Sequence, residues 1–86
     1  MPYAIQWSRK AAKETAKLDA TTADRVIKAV DTLATQPRPH GSEKLEGDIY
    51  RIEVWPYRVI YRVEDRALQV LVLRVAHRRE VYRNLR

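Results

Sequence analysis

Near the C-terminus, His77-Arg78-Arg79-Glu80-Val81-Tyr82 sets an imidazole, guanidinium groups and a phenol within six residues. Together such groups can act on a phosphodiester. RNA carries its own nucleophile in the 2′-OH. Its cleavage needs a base for that hydroxyl, cations for the charge that develops at phosphorus, and an acid for the leaving 5′-oxygen. No metal is required, and two histidines without a carboxylate cluster at ligand spacing offer no metal set, so neither metal nor cofactor is expected. Taken singly, each residue also has a plainer reading: His77 as a strand-end histidine, Tyr82 as a lid on the core, Arg83 and Arg86 as solvated charges.

A second group precedes the tail. Alternation places Tyr50, Ile52, Val54, Tyr57, Val59, Tyr61 and Val63 on one apolar side of a hairpin. The other side carries Arg51, Glu53, Arg58, Ile60 and Arg62, and a turn centred on Trp55-Pro56 puts Glu53 opposite Arg58. The plainer reading is an exposed cross-strand ion pair, worth under about 1 kcal/mol.

These groups need elements to hold them. Tyr3 to Trp7 reads as a short first strand, and Ser8 as the N-cap of a helix to about Leu18, with Trp7 and Ala12 as a hydrophobic staple and Lys10, Lys13 and Lys17 outward. A second helix starts near Thr21, where Thr21-Thr22-Ala23-Asp24 resembles a capping box, and Pro37 ends it. The stretch from Gln36 to Gly47 is loop chemistry. Three strands follow, Ile49–Val54, Tyr57–Glu64 and Leu68–Ala76, with Asp65-Arg66 at the last turn. The last is nearly all apolar and is expected centrally, with both faces covered. The expected fold is α+β, an antiparallel sheet of about four strands with an N-terminal helical hairpin on one face, as one domain over residues 1–86 that could add a short C-terminal helix.

A net charge of +6 and a pI near 10 favour a polyanionic partner. Residues 44–86 hold nine arginines and one lysine, against three arginines and four lysines in residues 1–43, so arginine is concentrated where bidentate phosphate contacts are useful. The absence of cysteine excludes disulfides and thiolate chemistry and fits a reducing compartment, the cytoplasm by default. With no long apolar run, no membrane span or membrane partner is expected.

Tyr50-Arg51-Ile52, Tyr57-Arg58-Val59-Ile60-Tyr61 and Val75-Ala76-His77-Arg78-Arg79-Glu80-Val81-Tyr82 together resemble the RelE family of the RelE/ParE toxin superfamily. The resemblance covers nearly the whole chain, and its specific part begins at Tyr50. It implies the toxin of a type II toxin–antitoxin system, a ribosome-dependent endoribonuclease that cuts mRNA in the ribosomal A site and leaves a 2′,3′-cyclic phosphate or 3′-phosphate and a 5′-hydroxyl. The implied partners are the 70S ribosome, mRNA and a cognate antitoxin in a hetero-oligomer.

By the same resemblance Arg51 is the basic residue of the second strand, Arg58 contacts the scissile phosphate, Arg78 is the tail arginine and Tyr82 acts on or stacks against the substrate. The sequence departs at Glu53, where well-known members carry a lysine. The candidates for the base are then Glu53; Glu43 in the connecting loop, which resembles the glutamate of YoeB toxins and would work with His77 as acid; and Tyr82. Lys10, Lys13, Lys17, Arg62, Arg79 and Arg83 read as RNA-docking charge. The rivals are a ParE-like DNA gyrase inhibitor of the same fold and a catalytically inactive binding module.

Overall fold

A computed structural model describes residues 2–79, so the expectations for Tyr82, Arg83 and any helix beyond them lie outside the described residues. The elements are β1 (Ala4–Trp7), α1 (Arg9–Ala16), α2 (Ala20–Thr32), β2 (Glu43–Glu46), β3 (Ile49–Val54), β4 (Tyr57–Glu64) and β5 (Gln69–His77). They form a five-stranded sheet ordered β1-β5-β4-β3-β2.

Local chemistry explains the ends of the helices. The Ser8 side chain accepts from the Ala11 amide at 3.0 Å and starts α1. The cap of α2 is Asp19, which accepts from the Thr22 amide at 3.1 Å, so this helix begins upstream of the Thr21 expectation. It ends at Thr32, before Pro37, and α1 stops at Ala16, short of Leu18. In both helices the last turn tightens into i→i+3 bonds such as Lys17 N–H to Glu14 O and Leu33 N–H to Val30 O.

The strands β3, β4 and β5 are the expected antiparallel meander. Two features differ from expectation. A fifth strand, β2, forms inside the stretch expected to be loop. Its Glu-Lys-Leu-Glu sequence is short and charged, as suits an edge strand, and it pairs with β3 through a bulge between Lys44 and Glu46. The other is the position of β5, which lies between β4 and β1, the latter running parallel to it from Ala4↔Gln69 to Trp7↔Val72; the middle strand is β4.

The β4–β5 register shifts between Ile60 and Tyr61, so that Leu73 is the extra residue in β5. Beyond Val72 the strand runs past the end of β1. Glu14 of α1 serves that stretch: it accepts from the Val75 amide at 2.7 Å and from Arg74 Nη2 at 2.8 Å, while Ser8 Oγ donates to the Leu73 carbonyl at 3.0 Å. The start of α1 is thereby tied to the strand that leads into the tail.

The core lies between the helices and one sheet face. Ala11, Val26, Val30 and Leu33 pack on Ile52, Val54, Val59, Tyr61, Val63, Val70, Val72 and Val75. Each fully buried aliphatic side chain contributes about 1.5–3 kcal/mol. Tyr61 supplies the bulk that the absence of phenylalanine demands; it is fully buried, its hydroxyl donates to the Pro37 carbonyl at 2.8 Å, and burial pushes its phenol up to about 12. At the rim, Arg38 donates to both Asp65 oxygens and, through Nε, to the Tyr50 hydroxyl, while the Tyr3 hydroxyl donates to Asp65 at 2.6 Å. Hydrogen bonds from Arg38 and Tyr3 hold the Asp65 carboxyl below its ordinary range.

Candidate functional site

Opposite the helices, the sheet carries a ladder of arginine–carboxylate pairs built by strand register. Arg51 of β3 pairs with Glu43, its partner in β2. Glu53 of β3 lies directly across from Arg58 of β4, with Arg58 Nη2 3.4 Å from Glu53 Oε1. Arg62 Nε lies 3.3 Å from Asp48 Oδ1. Between these charges runs an apolar strip of buried Ile60 and Ala76 flanked by Leu45, Ile49 and Leu73.

The guanidinium side chains are the embedded members of the first two pairs. Arg51 and Arg58 are 11% and 13% exposed, against 58% and 44% for Glu43 and Glu53. The strip therefore fixes the arginine stems, and the carboxylates are the groups that can move when an anion arrives.

The tail begins beside this ladder, since Arg58 pairs in register with Ala76. Arg78 is held to the β3–β4 turn: its amide donates to the Pro56 carbonyl at 2.9 Å and its guanidinium lies 4.7 Å from the centre of the Trp55 ring. His77 goes elsewhere. It pairs with Tyr57, meets that ring edge-on at 5.6 Å, and lines a pocket of ≈ 300 Å³ with Glu14, Lys17, Leu18 and Arg74 on the helical side. Its Nδ1 accepts from the Arg79 amide at 3.3 Å. Alternation along β5 thus separates His77 from Arg58, and the expected role of acid on the arginine face is not supported by its position.

Arg51, Glu53, Arg58 and Arg62 are brought to one face, with Arg78 at its end. Glu43, expected in a loop, joins them as the first residue of β2. Arg79 is exposed, and so are Lys10, Lys13 and Lys17, which belong to α1 and its C-cap on the helical side. Trp55, which the sequence marks only as a turn residue, is 58% exposed at the ladder's end. The signal that could have marked it is a tryptophan placed in a two-residue turn, where no core needs it. Among the described residues no group of three or more His, Asp or Glu could hold a metal.

A five-stranded sheet backed by an N-terminal helical hairpin is a fold that this chain shares with solved toxins of the RelE type. A mutant of E. coli toxin RelE in the free state matches it with a TM-score of 0.79 at 31% identity, covering 96% of this chain and 93% of that one. The toxin–antitoxin complex RelBE of E. coli matches with a TM-score of 0.76 at 30% identity, over 87% and 95% of the two chains. In sequence, Toxin RelG of Mycobacterium tuberculosis is 30% identical over 96% of this chain and 99% of its own length. A family model described as ParE toxin of type II toxin–antitoxin system, parDE, matches residues 5–82. The chain belongs to the RelE/ParE superfamily of type II toxin–antitoxin toxins.

Proposed function

We propose that this chain is the RelE-type member of a toxin–antitoxin pair, a ribosome-dependent endoribonuclease that cuts mRNA in the A site through attack of the 2′-OH. The observation that carries the reading is Glu53 facing Arg58 on the sheet face where the tail begins. In RNA the attacking 2′-OH lies beside the phosphate it attacks. A phosphate seated on Arg58 then brings that hydroxyl to the neighbouring Glu53 carboxylate, which takes its proton as the 2′-oxygen bonds to phosphorus; the P–O5′ bond breaks, and the leaving 5′-oxygen takes up a proton from the tail phenol or from solvent to give the 5′-hydroxyl. Arg51 and Arg78 add positive charge for the pentacoordinate centre, where preorganised donors lower the barrier most. Tyr82 of the tail is proposed to act on or stack against the substrate, and Glu43, beside Arg51, is the second candidate base.

The ribosome supplies what the chain lacks. Each guanidinium of the ladder already carries a carboxylate, so free RNA must displace it, whereas an mRNA held in a programmed A site is presented at high effective concentration. The exposed lysines of α1, with Arg62, Arg79 and Arg83, are docking charge for rRNA. The site of action is the cytoplasm. An acidic or amphipathic antitoxin is the proposed silencer, supported by the antitoxin complexes of the structural relatives. An apolar groove of ≈ 370 Å³ beside Trp7, Ala12 and Ile27 offers it a seat away from the arginines.

The second reading, a ParE-like inhibitor of DNA gyrase, is favoured by the ParE description of the matching family. Cell-free translation with primer extension separates the two. A-site cuts that disappear in Arg78→Ala support the nuclease; intact mRNA together with inhibited supercoiling supports the other.

A further inference from the structure

We infer that Trp55 is a positioning residue for Arg78, an inference that rests on the ribonuclease reading above. Val54 and Tyr57 pair across the β3–β4 hairpin, so Trp55 and Pro56 are its two-residue turn. Both turn carbonyls are engaged by arginine: Arg25 Nη2 of α2 donates to the Trp55 carbonyl at 2.9 Å, and the Arg78 amide donates to the Pro56 carbonyl at 2.9 Å. The turn is thus tied to α2 on one side and to the tail on the other. The indole is 58% exposed and takes no part in the core, yet the Arg78 guanidinium lies 4.7 Å from its ring centre.

This stacking orders a side chain that otherwise has many rotamers. The indole face attracts the cation, and the amide bond to Pro56 fixes where its stem starts. Arg78 is thereby held at the end of the face that carries Arg58, whose register partner Ala76 is two residues before it. A guanidinium so placed loses little further entropy when a phosphate reaches Arg58. The Trp55 ring itself touches no reacting atom.

The test is a double-mutant cycle in cleavage of mRNA on programmed 70S ribosomes, using Trp55→Ala, Trp55→Phe, Arg78→Ala and the double variant Trp55→Ala/Arg78→Ala. Removing an exposed cation–π interaction lowers the maximal rate by about 5-fold, and more if the guanidinium is misplaced, since a ~1 Å error can cost ~100-fold. The expected result is a lower maximal rate in Trp55→Ala at unchanged half-saturating ribosome concentration, partial recovery in Trp55→Phe, and no further loss on adding Trp55→Ala to Arg78→Ala. In a Trp7→Phe background, the emission of Trp55 should also change on Arg78→Ala. Multiplying losses in the double variant would show that Trp55 acts independently of Arg78, for instance by stacking a base, and would overturn the inference. Wild-type rates in Trp55→Ala overturn it alone. A wild-type chain that makes no A-site cuts removes the ribonuclease reading and this inference with it.

Discussion

Arg58 and Glu53 face each other across the β3–β4 hairpin, the guanidinium set into the sheet and the carboxylate turned outward. This relationship places the cation proposed to bind phosphate and the proposed base side by side on rigid backbone. Glu53→Gln keeps the shape and removes the base. Its maximal cleavage rate on programmed ribosomes should fall by at least about 10²-fold, the lower end for lost acid–base catalysis. A rate equal to or above wild type would make Glu53 a mere counter-charge of Arg58.

Arg58→Ala should cost about 10²–10³-fold in the same assay, as for loss of one preorganised donor to a charged transition state. Arg58→Lys should recover only part of it, because an ammonium cannot make the forked contact of a guanidinium. Full activity in Arg58→Lys would point to a simple charge effect.

Glu14→Gln tests the tie between α1 and the tail strand. The variant keeps one acceptor for the Val75 amide or Arg74 but loses the charge that serves both, and Glu14→Ala removes the acceptor of the partly buried Val75 amide and the carboxylate beside Arg74. Urea denaturation should show a loss of about 1–3 kcal/mol for the alanine variant and less for glutamine. Unchanged midpoints would mean that water replaces the carboxylate at no cost.

Stability should fall on the alkaline side through Tyr61. Its phenol titrates near 10 in the unfolded chain and at about 12 in the fold, because burial disfavours the phenolate. Below pH 10 both states are protonated and the contribution is complete. Between pH 10 and 12 the unfolded chain loses the proton first and stability declines. At the acid end Asp65 acts in the opposite sense. Its carboxyl is held low by Arg38, so its contribution is present at neutral pH and is lost as pH falls below the ordinary carboxylate range. Melting curves against pH should lose part of the alkaline limb in Tyr61→Phe and part of the acid limb in Asp65→Asn.

Docking through exposed cations predicts steep salt dependence. Replacing Lys10, Lys13 and Lys17 with glutamine should flatten the slope of log affinity for ribosomes against log salt by roughly 0.7–0.9 for each phosphate that these lysines neutralise. The maximal rate of bound complexes should not change. An unaltered slope would remove α1 from the docking surface.

The hairpin was the most legible part of the sequence. Strict alternation from Tyr50 to Val63 assigned both faces, and the Trp55-Pro56 turn set Glu53 against Arg58. Ser8 was legible because a cap is a local hydrogen bond. The strand β2 was not, because four mostly charged residues at an edge carry no apolar period. The face of His77 was hidden in β5, whose near-continuous apolar run conceals its phase and whose extra residue, Leu73, resets it. Only the register with Tyr57 reveals which way His77 turns. The parallel partnership of β1 with β5 joins the two ends of the described chain, a long-range pairing on which local patterns are silent.

The most direct test of the central claim is single-turnover cleavage of an mRNA whose codon occupies the A site of a purified 70S ribosome, with the same mRNA free in solution as control. The predicted result is a cut within the A-site codon leaving a 2′,3′-cyclic phosphate or 3′-phosphate and a 5′-hydroxyl, with little cutting of the free RNA. Intact mRNA on the ribosome at saturating toxin, accompanied by inhibition of gyrase supercoiling, would contradict it.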